Sequence, residues 1–203
     1  MKEIGGYIEL DTYTGAMLHE KAIALNCGRG ALEYLCEAKM IRKLYLPYFL
    51  CDSVPNLCKK INVEYEFYHI NRALEPIFTK EIGANEWLYI VNFYGQLSNE
   101  YLKIWKQRYD RVIVDNAQSY FQMPVEGMDT LYTCRKYFGV ADGAFLYSDT
   151  RLSKEIPLDE SFERMHFLLG RYERSANEFY SEYVLNNKLF ATAVSYTHLR
   201  AHE

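Results

Sequence analysis

The sequence predicts an α/β fold, in which a mainly parallel β-sheet carries helices on both faces. Segments whose apolar residues recur with helical spacing alternate with short apolar runs typical of strands. Two such runs are WLYIVN at residues 87–92 and RVIVD at residues 111–115. Each ends on a polar side chain, Asn92 and Asp115 respectively. In sheets of this kind ligands bind at the carboxyl ends of the strands, so both residues are candidates for a site.

Helices and strands are predicted in turn through the first half of the chain. The helix that begins at Gly28 places Ala31, Leu32 and Leu35 on one face, and the next helix begins on an aspartate that can cap it. The predicted elements are helix Gly28–Met40, strand Leu44–Pro47, helix Asp52–Lys60, strand Val63–Tyr68 and strand Trp87–Asn92.

The second half continues the pattern with a serine-capped helix and three further strands. Its predicted elements are helix Ser98–Tyr109 and strands Arg111–Asp115, Thr130–Cys134 and Ala144–Tyr147. Apolar residues then recur with helical spacing over several turns, which predicts a helix within Leu158–Leu185.

Composition narrows the class of protein. The chain has 203 residues, 49% of them hydrophobic, which is enough for one large domain. A net charge of −4 without a block of like charges gives no support to nucleic-acid binding, and no apolar run is long enough for a membrane span. Five irregularly spaced cysteines fit a reducing cytoplasm, and the scattered histidines with no CxxC pair predict no metal site. We therefore expect a cytoplasmic protein.

The last ten residues, VSYTHLRAHE (Val194–Glu203), are expected to lie outside the large domain, which spans residues 1–193. They do not continue the helical spacing, and they resemble translated sequencing-adapter sequence. The alternative is a natural, frayed tail. If the tail is not native, the natural protein continues past this point and the chain is a fragment.

Four short segments carry candidate chemistry, one of them NFYGQ (92–96), whose Asn92 ends a strand. The other three each have a plainer interpretation. In CGRGAL (27–32), two glycines at a helix start suit a phosphate, but they also suit a simple turn. In VDNAQS (114–119), Asp115 and Gln118 can face a ligand or cap a loop. In YTCRKYFG (132–139), Lys136 lies in an aromatic setting beside a cation. Both influences lower the pKa of an amine and favour attack on carbonyls, whereas the alternative is an exposed lysine on a turn.

The order of these segments resembles the DegT/DnrJ/EryC1/StrS family of pyridoxal-phosphate-dependent aminotransferases, which belong to fold type I. The resemblance runs from Ile4-Gly5-Gly6-Tyr7 through ALNCGRGALEYL, NFYGQ and VDNAQS to CRKYFGVADGA. It covers residues 4–150, and the helix after them to about residue 190. The combination of motifs is specific, although each motif alone is weak.

The resemblance implies a role for each candidate residue. Lys136 matches the lysine that forms the internal aldimine with pyridoxal phosphate, and Asp115 matches the aspartate that pairs with the pyridine nitrogen. Gln118 matches a glutamine at the phenolic oxygen. The remaining matches are the Arg29 and Gly30 amides and Thr133 at the phosphate, and an aromatic near Tyr48-Phe49 on the ring.

The resemblance also implies the reaction and the partners. The reaction is transfer of an amino group from an amino donor to a keto acceptor, taken to be a nucleotide-linked keto sugar. The resemblance further implies a homodimer and a smaller C-terminal domain that this chain lacks, so we expect the chain alone to be inactive or poorly soluble.

The chain departs from the family at three places. Many members have a Gly-Thr-Ala-like turn in place of Gly28-Arg29-Gly30, and many have a histidine in place of Asn92. The lysine turn is shorter and carries Arg135 before Lys136. These departures bear on the identity of the substrate more than on the identity of the cofactor.

Three alternatives remain beside this hypothesis. A non-catalytic or regulatory family member is disfavoured because both Lys136 and Asp115 are present. Related sugar-modifying enzymes such as dehydratases lack the lysine. A nucleotide-binding doubly wound domain would carry GxGxxG, whose spacing CGRGAL does not match.

Overall fold

A mostly parallel sheet organises the part of the chain that the computed structural model describes, residues 15–192 and 198–199. The spatial order of its ten strands is β4-β3-β2-β5-β6-β7-β8-β1-β10-β9. In chain order these strands are β1 (Ile23–Leu25), β2 (Lys43–Pro47), β3 (Glu64–Ile70), β4 (Pro76–Ile77), β5 (Glu86–Val91), β6 (Val112–Asp115), β7 (Asp129–Thr133), β8 (Ala144–Tyr147), β9 (Leu158–Asp159) and β10 (His198–Leu199).

The centre of the sheet is parallel, as the sequence predicts. Strands β3, β2, β5, β6 and β7 all run in one direction. Strand β8 is antiparallel to both β7 and β1, so β1 runs in the same direction as the central strands. The short strands β1 and β4 were not predicted, because two or three residues are too few to show a period.

Five helices accompany the sheet in the described residues. They are α1 (Gly28–Ala38), α2 (Ser53–Lys60), α3 (Asn99–Tyr109), α4 (His166–Gly170) and α5 (Ala176–Thr192). The serine cap of α3 is confirmed, because the Ser98 side chain accepts a hydrogen bond from the Tyr101 amide. Asp52 precedes α2 as expected, but its side chain makes no capping hydrogen bond.

Side-chain alternation along the central strands separates two cores. Tyr89, Val91 and Ile113 pack in one cluster with residues of α1 and α2. Leu88, Ile90 and Val114 point to the other face and pack with residues of α3. Each fully buried aliphatic side chain contributes roughly 1.5–3 kcal/mol of transfer free energy, so burial on both faces stabilises these strands strongly. The prediction of helices on both faces is confirmed.

The single helix predicted within Leu158–Leu185 is wrong. The segment forms β9, a short 3₁₀ turn at Phe162–Arg164, α4 and then α5. A new helix begins after Ser175 because Glu178 accepts hydrogen bonds from both the backbone amide and the hydroxyl of Ser175. A Cβ at Gly170, the last residue of α4, would lie 2.1 Å from Phe179, so the two helices pack closely there.

Some expectations fall outside the described residues. The Ile4-Gly5-Gly6-Tyr7 segment lies there, as does the proposed domain boundary at residue 193. Within the ten-residue tail, only β10 is described, and it pairs with β1 and β9. No described helix is both long and apolar enough to cross a membrane.

His19 is buried in a box of aromatic rings beside the sheet. Its Nε2 atom donates to the Tyr120 carbonyl at 2.9 Å, and its Nδ1 atom lies 3.2 Å from the Tyr147 hydroxyl. The rings of Tyr120, Tyr132 and Phe145 pack around it. Burial lowers the pKa of His19 below its ordinary value, against the opposing effect of the Tyr120 carbonyl. The folded state therefore favours the neutral imidazole.

The free energy of unfolding should fall as the pH drops below about 6.5, because the unfolded chain then binds a proton that folded His19 resists. Urea unfolding between about pH 7.5 and about pH 5.5 measures this slope. His19→Gln should flatten the slope, since an amide can donate to Tyr120 without titrating. His69→Gln, the same exchange at an exposed histidine, is the matched control. Equal slopes in the wild type and His19→Gln would contradict the assignment.

Candidate active site

The strand directions bring the candidate residues to one edge of the sheet. Strands β1, β6 and β7 all end there, and two residues separate the end of β1 from the start of α1. The Gly143 amide donates to the Asn26 carbonyl at 2.7 Å, and the Cys134 amide donates to the Gly143 carbonyl at 2.9 Å. These bonds tie the start of α1 to the lysine turn, residues 134–143. The predicted CGRGAL, VDNAQS and lysine segments therefore share this edge.

Asp115 is the last residue of β6, and its buried carboxylate is held at both oxygens. The Ala117 amide donates to Oδ1 at 2.8 Å, and the Tyr89 hydroxyl donates to Oδ2 at 2.7 Å. Each oxygen retains further acceptor capacity, because a carboxylate has about four lone-pair sites. The side chain is thus oriented by the protein and can still accept a hydrogen bond from a ligand.

Opposing influences act on the ionisation of Asp115. Burial raises the pKa of its carboxyl above the ordinary value and is the largest influence. The hydrogen bonds from Tyr89 and Ala117 lower that pKa, as does the positive charge of Lys136. The charge of Lys136 therefore acts on Asp115 across the edge of the sheet. A protonated ring nitrogen placed beside Asp115 would add a further influence in the same direction.

The NFYGQ loop after β5 is locked to the loop after β6 by buried amides. The Asn92 Nδ2 atom lies 2.8 Å from Gln122 Oε1 and 3.1 Å from Asn116 Oδ1. The Asn92 Oδ1 atom accepts from the Leu97 amide at 2.9 Å. Asn92 is fully buried, and an unpaired amide there would cost about 1–3 kcal/mol. Asn92 therefore ties the two loops together, and its side chain is engaged with protein groups.

Gln118 contacts the NFYGQ loop. Its Oε1 atom accepts from the Tyr94 amide at 3.4 Å, in a stretch where Tyr94 has a positive φ of 54°. Gly95 follows with a φ of 71°, and a Cβ there would lie 3.0 Å from Ser119 Oγ. Both observations favour glycine at this position. The NFYGQ and VDNAQS motifs are thus in direct contact.

Positive charge is concentrated near the start of α1. The Gly30 amide donates to Cys27 Sγ at 3.4 Å, a weak bond that leaves the helix N-terminus able to bind an anion. Arg29 Nε is buried and has no hydrogen-bond partner in residues 15–192. Within the same range neither Arg29 nor Arg135 forms an ion pair. The charge of Arg29 helps to lower the pKa of Arg135, so the two guanidinium groups repel each other there.

Arg135, rather than Lys136, occupies the apolar setting that the sequence predicts for the lysine. Arg135 lies half-buried, with its guanidinium 5.8 Å from the ring centre of Tyr183 and 5.6 Å from that of Phe190 on α5. Its Nη2 atom also donates to Asn187 Oδ1 at 2.6 Å. Burial is the main cause of its lowered pKa. Lys136 itself is exposed on the turn, so the expected desolvation of the lysine is wrong.

The remaining candidates lie nearby but are less constrained. Thr133 ends β7 half-buried, with its hydroxyl 3.5 Å from the Gly143 carbonyl. Tyr48 follows β2 at the same edge and stacks on Phe67, with ring centres 4.9 Å apart. Phe49 packs against Phe93 of the NFYGQ loop, with ring centres 5.2 Å apart. Tyr48 is thus engaged with β3, whereas Phe49 contacts a motif residue.

A cleft of about 350 Å³ opens beside the start of α1. Arg29 and Gly30 line it, together with polar side chains of α2 and Phe190 of α5. Asp115 and Lys136 are not among its lining residues, so within the described chain this cleft does not form one closed pocket with these two side chains. The described residues also contain no group of three or more metal-ligating side chains.

Comparison with known proteins identifies the fold. No family model matches the sequence, and no curated protein sequence matches it. Several solved structures match in fold. They include DesI in the presence of its TDP-sugar product (14% identity, TM-score 0.52, 63% of this chain and 37% of that chain). They also include NtdA from Bacillus subtilis with bound cofactor PMP (17% identity, TM-score 0.50, 66% of this chain and 33% of that chain).

A third match is DesV from S. venezuelae in complex with a ketimine intermediate (15% identity, TM-score 0.50, 76% of this chain and 46% of that chain). The chain spans less than half the length of each of these three structures. Its mostly parallel mixed sheet with helices is the fold of the fold type I aminotransferases.

Proposed function

We propose that this chain belongs to a pyridoxal-phosphate-dependent aminotransferase of the DegT/DnrJ/EryC1/StrS family. The observation that carries the proposal is the buried Asp115 carboxylate at the end of β6. Protein donors hold both of its oxygens, and the positive charge of Lys136 lowers its pKa. The fold and the order of the CGRGAL, NFYGQ, VDNAQS and lysine segments support it further.

The donor set at this edge of the sheet fits pyridoxal phosphate. A carboxylate suits a protonated ring nitrogen, a lysine amine suits an aldehyde, and a helix N-terminus that carries the Arg29 guanidinium suits a phosphate. The Arg29 side chain supports phosphate binding, because its buried Nε has no hydrogen-bond partner within the described residues. Bound there, the cofactor would supply an electron sink for the carbon that carries the amino group.

The residues of this chain have separate roles in the proposal. Asp115 keeps the ring nitrogen protonated. Lys136 would hold the cofactor covalently through Nζ, and its amine would serve as general acid and base. The Arg29 and Gly30 amides, the Thr133 hydroxyl and the positive charges near α1 hold the phosphate, and Gln118 contacts the phenolic oxygen. The exposure of Lys136 leaves its amine accessible for these steps.

The substrates are also part of the proposal. We take an amino acid as donor and a nucleotide-linked keto sugar as acceptor, supported by the TDP-sugar product present with the similar structure of DesI. A homodimer in the cytoplasm and an aromatic stacking residue at Tyr48 complete the proposal. The contact between Phe49 and the NFYGQ loop makes Phe49 the alternative stacking residue.

Arg29→Gln should weaken binding of pyridoxal phosphate about tenfold or more, since charge-assisted hydrogen bonds contribute roughly 1.5–3 kcal/mol. Binding of pyridoxal, which lacks the phosphate, should stay unchanged. Absorbance titration with both compounds measures the two dissociation constants. Arg42→Gln is the matched control, because this exposed arginine precedes β2 at the opposite edge of the sheet. An equal loss for both compounds would contradict a phosphate role.

Lys136→Ala should abolish borohydride-stable attachment of pyridoxal phosphate, because the variant lacks the amine that bonds to the aldehyde. Mass spectrometry of the reduced protein and of its peptides measures the attachment. Lys103→Ala, at an exposed lysine of α3, should be labelled like the wild type. Labelling of Lys136→Ala at the wild-type level would show that another lysine carries the cofactor. A wild type that binds no cofactor would favour the non-catalytic alternative.

A further inference from the structure

Tyr89 is a buried residue whose hydroxyl group points at the candidate site. It lies on β5, next to β6, and only 1% of its surface is exposed. Because residues two apart on a strand share a face, Tyr89 and Val91 point to the same side of the sheet as Ile113 and Asp115. The Tyr89 hydroxyl reaches Asp115 Oδ2 at 2.7 Å. This bond and the bond from Ala117 give each oxygen of Asp115 a donor.

We propose that Tyr89 is a positioning residue for the cofactor, which acts through Asp115 by holding its carboxylate ionised and aimed at the ring nitrogen. The inference rests on the proposed function, because it requires Asp115 to face that nitrogen. It adds a residue to which the motif resemblance gives no role.

The hydroxyl group of Tyr89 is suited to this role because it remains a donor. Burial raises the pKa of Tyr89 well above its ordinary value, and the negative charge of Asp115 raises it further. The phenol therefore remains a neutral donor at neutral pH. A neutral donor stabilises the carboxylate without giving up its proton, so it favours the charged form of Asp115 over the acid.

Loss of this donor has a defined chemical consequence. The Oδ2 atom of a buried carboxylate would lose its donor, and the protonated form of Asp115 would become more favourable. A carboxylic acid can donate to a ring nitrogen, but it leaves that nitrogen without a positive charge. The cofactor would then be a weaker electron sink although every atom that touches it is unchanged.

A matched pair of variants tests the proposal. Tyr89→Phe removes one oxygen atom and keeps the packing of the ring. Tyr45→Phe removes an equivalent bond, since the Tyr45 hydroxyl donates to the Glu86 carboxylate, also at 2.7 Å. Tyr45 is also buried, but Glu86 begins β5 and so lies at the opposite edge of the sheet. Both variants lose a phenol–carboxylate hydrogen bond, and only one of these bonds reaches the candidate site.

The first measurement is made on the cofactor-free protein. Infrared titration of the carboxyl stretch, assigned by difference from Asp115→Asn, gives the pH at which Asp115 ionises. Tyr89→Phe should move this midpoint to higher pH, whereas Tyr45→Phe should leave it at the wild-type value. A Tyr89→Phe midpoint equal to that of the wild type would overturn the proposal.

The second measurement uses pyridoxal phosphate labelled with ¹⁵N in the ring. The ¹⁵N chemical shift should report a protonated ring nitrogen in the wild type and in Tyr45→Phe, and a smaller protonated fraction in Tyr89→Phe. Cofactor affinity of Tyr89→Phe should fall about tenfold. An unchanged shift in Tyr89→Phe overturns the role of Tyr89 and leaves the proposed function standing. A wild type that binds no pyridoxal phosphate overturns the proposed function itself.

Discussion

Burial of the central strands on both faces is the constraint on which the site depends. Because β5 and β6 lie between α3 on one side and α1 and α2 on the other, their side chains must alternate strictly between two cores. A shift by one residue would exchange every side chain between the faces. The register of Val91 opposite Asp115 therefore determines that Asp115 and Tyr89 share the face of α1.

The polar groups at the edge of the sheet are stable because protein donors and acceptors satisfy them. Asp115 has a donor at each oxygen, and the Asn92 amide is bound at both ends. The start of α1 differs, since Arg29 Nε has no partner within residues 15–192, and the charges of Arg29 and Arg135 repel each other. The carboxylate of Asp115 is thus satisfied by protein donors, whereas the buried Nε atom of Arg29 is not.

Much of this could be predicted from the sequence, because its strongest signals are local. Apolar runs such as residues 87–92 predict buried strands, and Asp115 at a strand end predicts a ligand-facing edge. The phenol of Tyr89 could not be assigned, since its partner lies on another strand and depends on the register. Arg135, rather than Lys136, is half-buried because α5 packs on the lysine turn, and α5 belongs to a distant part of the chain. The break before α5 did have a local signal, the Ser175–Glu178 capping pair.

The proposed function puts Asp115 and Lys136 at the two ends of one cofactor ring. The decisive experiment is a crystal structure of the protein reduced with borohydride in the presence of pyridoxal phosphate. We expect continuous density from Lys136 Nζ to the cofactor, the ring nitrogen within hydrogen-bond distance of Asp115, and the phosphate at the start of α1. Density on a different lysine, or a ring nitrogen that does not contact Asp115, would rule out this arrangement.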